Sequence, residues 1–227
     1  AHISGDDYHL WDRDQPLWQT TTHLNPRAND LAAMTSSVID LSESRSISIN
    51  HYDHSIGRFA ETSSLSHNDF VVVSGLLVFY IPQLRERCDA KIFIDMDEGL
   101  RRRLKIERDV EARGHALEDV EAALDSRIED TERFIKPQIT HADIVFRIEP
   151  ARASQLTDGT PTKNIRLQLR TSLRRSLYHE HMIRLLIGDC GVHVEHDLDE
   201  QTSSIELLVD SDVSAEDISG VAKRLVP

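Results

Sequence analysis

Cysteine is scarce: the 227 residues hold only Cys88 and Cys190. Two thiols so far apart in the chain make neither a disulfide framework nor a zinc site, which suits a reduced, cytoplasmic compartment. Positive charge is short as well. Lys and Arg number 26 against 39 Asp and Glu, a net charge of −13, and this excludes a broad surface for nucleic acid or anionic membrane, which would need clustered cations. Long hydrophobic runs are missing. The longest, residues 70–82, is interrupted by Ser74 and Gly75 and falls well short of the roughly 20 residues a membrane helix needs. It reads instead as a buried parallel strand turning into a helix. No basic-then-apolar leader precedes Gly5, so no signal peptide is expected. Nor does a phosphate loop of the Gly-x-x-x-x-Gly-Lys-Ser or -Thr kind occur anywhere, a motif whose backbone N–H groups cradle nucleotide phosphates.

What is present is an alternation. Short β-rich runs at residues 1–4, 70–73, 91–95 and 143–148 are separated by helical patterns at 30–41, 80–87, 98–113 and 117–134. This predicts an α/β fold, a mostly parallel sheet flanked by helices. Residues 47–52 read as a further strand, followed by a loop to Arg58. Pro137 is expected to stop the longest helix, because it lacks an N–H and clashes with the preceding turn. Over 151–164 the composition shifts to Thr, Gly, Pro and Ser, with Asp158-Gly159 as a turn signal. Residues 1–150 are therefore expected to form the core and 151–227 a C-terminal α/β extension. That extension reads as a strand near 165–169, a helix near 175–187, strands near 192–195 and 205–209, and a last helix opened by a capping box of Ser214 and Asp217.

Residues Gly5 to Arg13 read Gly-Asp-Asp-Tyr-His-Leu-Trp-Asp-Arg, directly after the first strand. Paired carboxylates, His9 and Arg13 put a proton acceptor, metal-attracting charge and an anion-binding cation at a strand's carboxyl end, where open α/β sheets hold their ligands. By itself Asp6 reads equally well as a turn or capping carboxylate. Three further blocks add specificity: Asn25-Pro26-Arg27-Ala28-Asn29-Asp30; Lys105-Ile106-Glu107-Arg108-Asp109 with Arg113-Gly114-His115; and Ser126-Arg127 through Phe134-Ile135-Lys136-Pro137-Gln138 to His141-Ala142-Asp143. In this order the blocks resemble phosphoribulokinases, within the wider phosphoribulokinase and uridine kinase family of P-loop kinases. The resemblance covers roughly the first two-thirds of the chain.

The resemblance implies a P-loop kinase-like fold and an ATP-dependent, Mg²⁺-using phosphotransferase with an alcohol acceptor. That acceptor would be a phosphorylated pentose such as ribulose 5-phosphate or, in the uridine kinase branch, a nucleoside. It implies Asp6 as the base that takes the hydroxyl proton, and Asp6 with position 74 as the magnesium site. His9 and Arg13 would hold the sugar phosphate, Arg through its two-pronged fork, and Tyr52, Asp53, His54 and Arg58 would form the acceptor-binding loop. The pattern Lys-x-x-Arg-Asp-x-x-x-Arg-Gly resembles the family's lid. Lys105, Arg108 and Arg113 would clamp the phosphates, Asp109 would orient these cations, and Gly114 would permit a sharp helix end. On helical spacing alone, Arg101, Lys105 and Arg108 make a cationic stripe, most simply a solvated face. Asp95 and Asp97 read as caps for the helix starting at Glu98. His179-Glu180-His181, and His193 with His196, have spacings that point their rings to different faces, which disfavours metal binding. A small-molecule substrate is the expected partner, and homo-oligomerisation stays open.

Two departures matter. The phosphate loop is absent, and the chain opens inside what would be the family's second strand, so an N-terminal segment is expected to lie outside this chain. Ser74 precedes Gly75 where the family places Glu, which puts a neutral hydroxyl at a hard-cation site. Both departures keep open an inert paralogue with a regulatory or assembly role, and Gly75-Leu76-Leu77-Val78-Phe79-Tyr80 keeps open a nucleoside kinase. The chain as it stands is expected to bind Mg-ATP weakly or not at all. Isothermal titration calorimetry checks this, and micromolar affinity would contradict it.

Overall fold

The computed structural model describes residues 1–157, 159–174, 184, 193–199 and 204–210. Apart from Arg184, the helix expected over 175–187, with His179, Glu180 and His181, and the helix expected from Ala215 lie outside the described residues. The chain divides into two compact units, one of residues 1–91 with 122–141, the other of residues 92–121 with 142–227.

In the first unit, β1 (His2–Ser4) pairs in parallel with β4 (Val72–Ser74), Ser4 opposite Ser74. Helix α1 (Pro16–Thr20) is a short turn, whereas α2 (Leu31–Ser42) is a full amphipathic helix. Asp30 opens α2 by accepting the Ala33 N–H at 2.9 Å. Met34, Val38 and Leu41, spaced for one helical face, are buried beneath it. Strands β2 (Ile47–Asp53) and β3 (Arg58–Leu65) form an antiparallel hairpin with a bulge between Asn50 and Tyr52. Ile47 and Ile49 point inward while Ser48 and Asn50 point out. Where a loop is expected after residue 52, the chain turns tightly and returns as β3. Its run Glu61-Thr62-Ser63-Ser64 lacks the apolar alternation that would announce a strand.

Helix α3 (Pro82–Arg87) follows, with Leu84 fully buried. The single helix expected over 117–134 is broken. The chain forms α5 (Leu117–Asp125) and α6 (Ile128–Asp130), a wide turn at Thr131–Ile135 and a tight one at Lys136–His141. At the break the Arg127 N–H donates to Leu124 O at 3.2 Å, and the Ser126 hydroxyl donates to Ala123 O at 3.0 Å, so the local bonds tighten and the helix ends. Pro137 does not stop the winding. It enters as the second residue of the tight helix, where no N–H is needed. Gln138 ties this segment down: its amide group donates to Leu76 O (2.8 Å) and Phe134 O (2.7 Å), and its Oε1 accepts the Phe79 N–H (2.9 Å).

The second unit carries a five-stranded sheet in the order β5-β6-β7-β9-β8. Its strands are β5 (Ile92–Met96), β6 (Ile144–Pro150), β7 (Leu167–Arg174), β8 (His193–Asp199) and β9 (Ser204–Asp210). Strands β5 and β6 run parallel, and the later pairs are antiparallel. The fold is thus mixed α/β, with parallel pairs where strands alternate with helices. The stretch 151–164 joins neighbouring strands β6 and β7 of this sheet. It is pinned by the Arg103 guanidinium, which donates to Thr162 Oγ1 (3.1 Å), Gln155 O (3.2 Å) and Thr160 O. Helix α4 (Glu98–Glu107) begins at Asp97, which accepts the Leu100 N–H at 2.9 Å, and Leu100 anchors the helix in the core. Among the described residues no helix is long and apolar enough to cross a membrane.

Replacing Gln138 by Leu leaves the part-buried Leu76 and Phe134 carbonyls and the buried Phe79 N–H without this partner. At roughly 1–3 kcal/mol per stranded group, urea unfolding should show a loss of about 2 kcal/mol or more.

Candidate active site

The Ser4–Ser74 register brings two glycines together at the carboxyl ends of β1 and β4. A Cβ on Gly75 would lie 3.0 Å from Gly5 Cα, and one on Gly5 would lie 3.1 Å from Gly75 Cα. Side chains there would crowd the facing backbone, and glycine is the usual residue for such close approach at a strand end. Beyond Gly5 the chain winds into one tight turn, Gly5–Tyr8, capped by Ser4 Oγ on the Asp6 N–H at 3.3 Å. This turn separates the two carboxylates. Asp7 points inward, where it accepts the Tyr52 N–H (2.8 Å) and lies 3.1 Å from His51 Nδ1. Asp7 therefore anchors the hairpin. Asp6 stays 42% exposed, with Oδ2 3.0 Å from His54 Nε2 and Oδ1 3.7 Å from His9 Nε2.

His9 is buried, its side chain only 4% exposed. Its backbone bridges to Asn29, and its Nδ1 lies 2.8 Å from Asn29 Oδ1. Trp18, His23 and Tyr52 surround the ring edge-on at 5.4, 5.8 and 5.1 Å, and Trp18 stacks on Tyr52 at 5.9 Å. Burial holds His9 below its ordinary pKa, against the opposing pull of Asn29 and Asp6. Burial likewise pushes the Tyr52 hydroxyl up, and the nearby Arg13 cation offsets this only in part.

The other expected acceptor-site residues gather in the same unit with distinct tasks. Arg13 donates from its backbone to Gly57 O (2.8 Å) and from its guanidinium to His54 O (2.9 Å), so it braces the hairpin turn. Asp53 Oδ1 accepts the Ser55 N–H and hydroxyl, which lowers its pKa; it shapes the turn. Arg58 pairs with Asp14 at the surface. Ser74 Oγ lies 2.8 Å from His2 Nε2. The Mg²⁺ implied by the resemblance depends on hard oxygen ligands that include one or two carboxylates. Asp6 fits that description. Ser74, neutral and engaged with His2, does not. Sequence reasoning assigned no role to His23, Asn29 or His2; only Asn29 lay within a quoted block.

The second unit holds the cations expected to form a lid. Asp109, its side chain 11% exposed, accepts from Arg108 Nε (2.8 Å) and Arg113 Nη1 (3.1 Å), with Lys105 Nζ at 3.5 Å. Burial alone would raise Asp109, but the three cations win and hold it below its ordinary value. Arg108 and Arg113 remain 51% and 48% exposed, so the carboxylate gathers positive charge without hiding it. Arg101 leaves this group and pairs with Glu98 (2.6 and 2.9 Å). Asp95 pairs with Arg147 at 2.7 Å. Arg108–Ala112 forms a wide helical turn, and Gly114 ends it at φ 72°.

Since the folded pKa of Asp109 is depressed, its stabilisation is complete above the ordinary value of 3.8 and is lost as pH falls through the lower folded value. With half-exposed partners, about 1 kcal/mol is expected. Asp109→Asn should cost this much at pH 7 and progressively less in acid, read from urea unfolding at both pH values.

The family model described as the Phosphoribulokinase / Uridine kinase family matches residues 1–154. Phosphoribulokinase of Synechocystis sp. is 33% identical over 164 residues, covering 72% of this chain and 48% of that protein. The chloroplastic phosphoribulokinase of Spinacia oleracea is 31% identical over 164 residues, 72% and 40% respectively. A uridine kinase of Ligilactobacillus salivarius is 30% identical over 147 residues, covering 63% of this chain and 69% of that protein. The chain thus spans about half, or less, of the length of these phosphoribulokinases. A solved phosphoribulokinase structure from Rhodobacter spheroides shares the fold, with a TM-score of 0.68 at 17% identity over 100% of this chain and 85% of that one.

Proposed function

The chain belongs to the phosphoribulokinase and uridine kinase family, and from that premise we propose that the protein transfers the γ-phosphoryl group of ATP to a hydroxyl of a phosphorylated pentose such as ribulose 5-phosphate, in the cytoplasm. One observation carries the reading: Asp6, half-exposed beside the Gly5–Gly75 approach, is the carboxylate presented at the strand end, while Asp7 is consumed by structure. Phosphoryl transfer needs chiefly an acceptor oxygen in line with the γ-phosphate and neutralisation of developing charge. Asp6 takes the proton of the attacking hydroxyl as the new O–P bond forms, and His54 at 3.0 Å orients its carboxylate. Arg13 and Arg58 supply the cations for the acceptor's own phosphate. Lys105, Arg108 and Arg113, collected by Asp109, supply those for the nucleotide phosphates. Mg²⁺ accompanying the nucleotide would be held through Asp6 and would neutralise phosphate charge.

Ser74 supports a second reading, an inert relative with a regulatory role, because its hydroxyl is engaged by His2 where the family pattern has a carboxylate.

In the protein that carries the nucleotide-binding segment, Asp6→Asn should leave folding intact and lower turnover about 10²- to 10⁴-fold, measured by coupled ADP release. Unchanged turnover would remove Asp6 from the mechanism. Ser74→Glu should raise turnover in the same assay, and an inert relative would respond to neither change.

A further inference from the structure

We propose that Asn29 is a positioning residue that holds the His9 ring with its hydrogen on Nδ1, so that Nε2 faces Asp6 as a hydrogen-bond acceptor and engages a hydroxyl of the acceptor substrate, not its phosphate. The hydroxyl assignment rests on the phosphotransferase reading; the state of the ring does not.

The Asn29 side chain has one orientation. Its nitrogen lies 2.9 Å from His23 O and 3.0 Å from Asn25 O. Peptide carbonyls only accept, so the amide N–H groups must face them and Oδ1 must face His9. An amide oxygen also only accepts. The His9 Nδ1, 2.8 Å away, therefore carries the hydrogen, and in the neutral ring Nε2 is left with its lone pair. Burial favours that neutral ring. The groups facing it are Asp6 and Asp7, which oppose this preference, and His54, which reinforces it, with His23, Trp18 and Tyr52 packed edge-on.

The consequence is a pair of facing acceptors. His9 Nε2 and Asp6 Oδ1 are 3.7 Å apart, too far for a direct hydrogen bond and close enough for one donor-bearing group to serve both. Beside them is a cavity of about 20 Å³ bordered by Gly5, Asp6, His9, His23 and Asn29, room for roughly one water-sized group. A phosphate oxygen placed there would add a third acceptor. A polyol satisfies the pair: the reacting hydroxyl gives its proton to Asp6, and a neighbouring hydroxyl donates to His9 Nε2. Asn29 thus reads the acceptor through His9 without touching it.

The test is long-range ¹H–¹⁵N spectroscopy of the histidine rings in the ¹⁵N-labelled chain near pH 7.5, with His9 assigned by His9→Gln. The expected pattern is a neutral ring with hydrogen on Nδ1. Hydrogen on Nε2, or a doubly protonated ring, overturns the proposal. Asn29→Leu removes the oxygen opposite Nδ1 and should let the Nε2–H form grow in. If the Leu variant does not fold, the unsubstituted chain decides. Titration with D-ribose should move the His9 Nε2 resonance, and inorganic phosphate should not. A response to phosphate alone, or to neither at high millimolar concentration, overturns the hydroxyl assignment. Every readout is independent of turnover, so an inactive protein would sink the kinase reading while leaving the ring assignment standing.

Discussion

The register of β1 against β4 is the constraint from which the site follows. Pairing Ser4 with Ser74 sets Gly5 against Gly75 so closely that a Cβ on either would crowd the other's backbone. Beyond Gly5 the chain winds into a tight turn, and that turn sends adjacent carboxylates in opposite directions. One is buried and must find donors, because an unpaired buried charge is far more costly than an exposed one. It finds them on β2, so the hairpin's place in its unit depends on Asp7. The other remains available for chemistry.

Two carboxylates in this chain show how surroundings divide labour. Asp7 is met by a backbone N–H and a histidine, and its effect is local cohesion. Asp109 is met by three cations, and its effect is to concentrate charge that would otherwise repel itself along a helix. Because Arg108 and Arg113 keep about half their surface, that charge can also serve an anion. Ser74 is the counterexample. The family pattern calls for charge there, and this chain supplies a hydroxyl joined to His2.

Much of this was legible in the residues. The apolar runs at 1–4, 91–95 and 143–148 emerge as strands shifted by a residue or two, and Asp97 caps the helix that starts at Glu98, as a short polar side chain before a periodic segment should. The four motif blocks mark the family. Less legible were β3, whose Ser and Thr residues are held by pairing with β2, and the break at Ser126-Arg127, where side-chain and tightened backbone bonds compete with a regular helix.

Sequence by itself determined the class of fold and the residue types available for phosphate and proton chemistry, because period, capping and charge are properties of neighbours along the chain. Tertiary structure alone decided that Arg101 belongs to Glu98 while Arg108 and Arg113 belong to Asp109, and that Asn29 governs the His9 ring. Those outcomes depend on contacts between residues far apart in the chain or on competition among several partners within reach. Such choices are settled by burial and hydrogen-bond geometry, which a linear pattern does not contain.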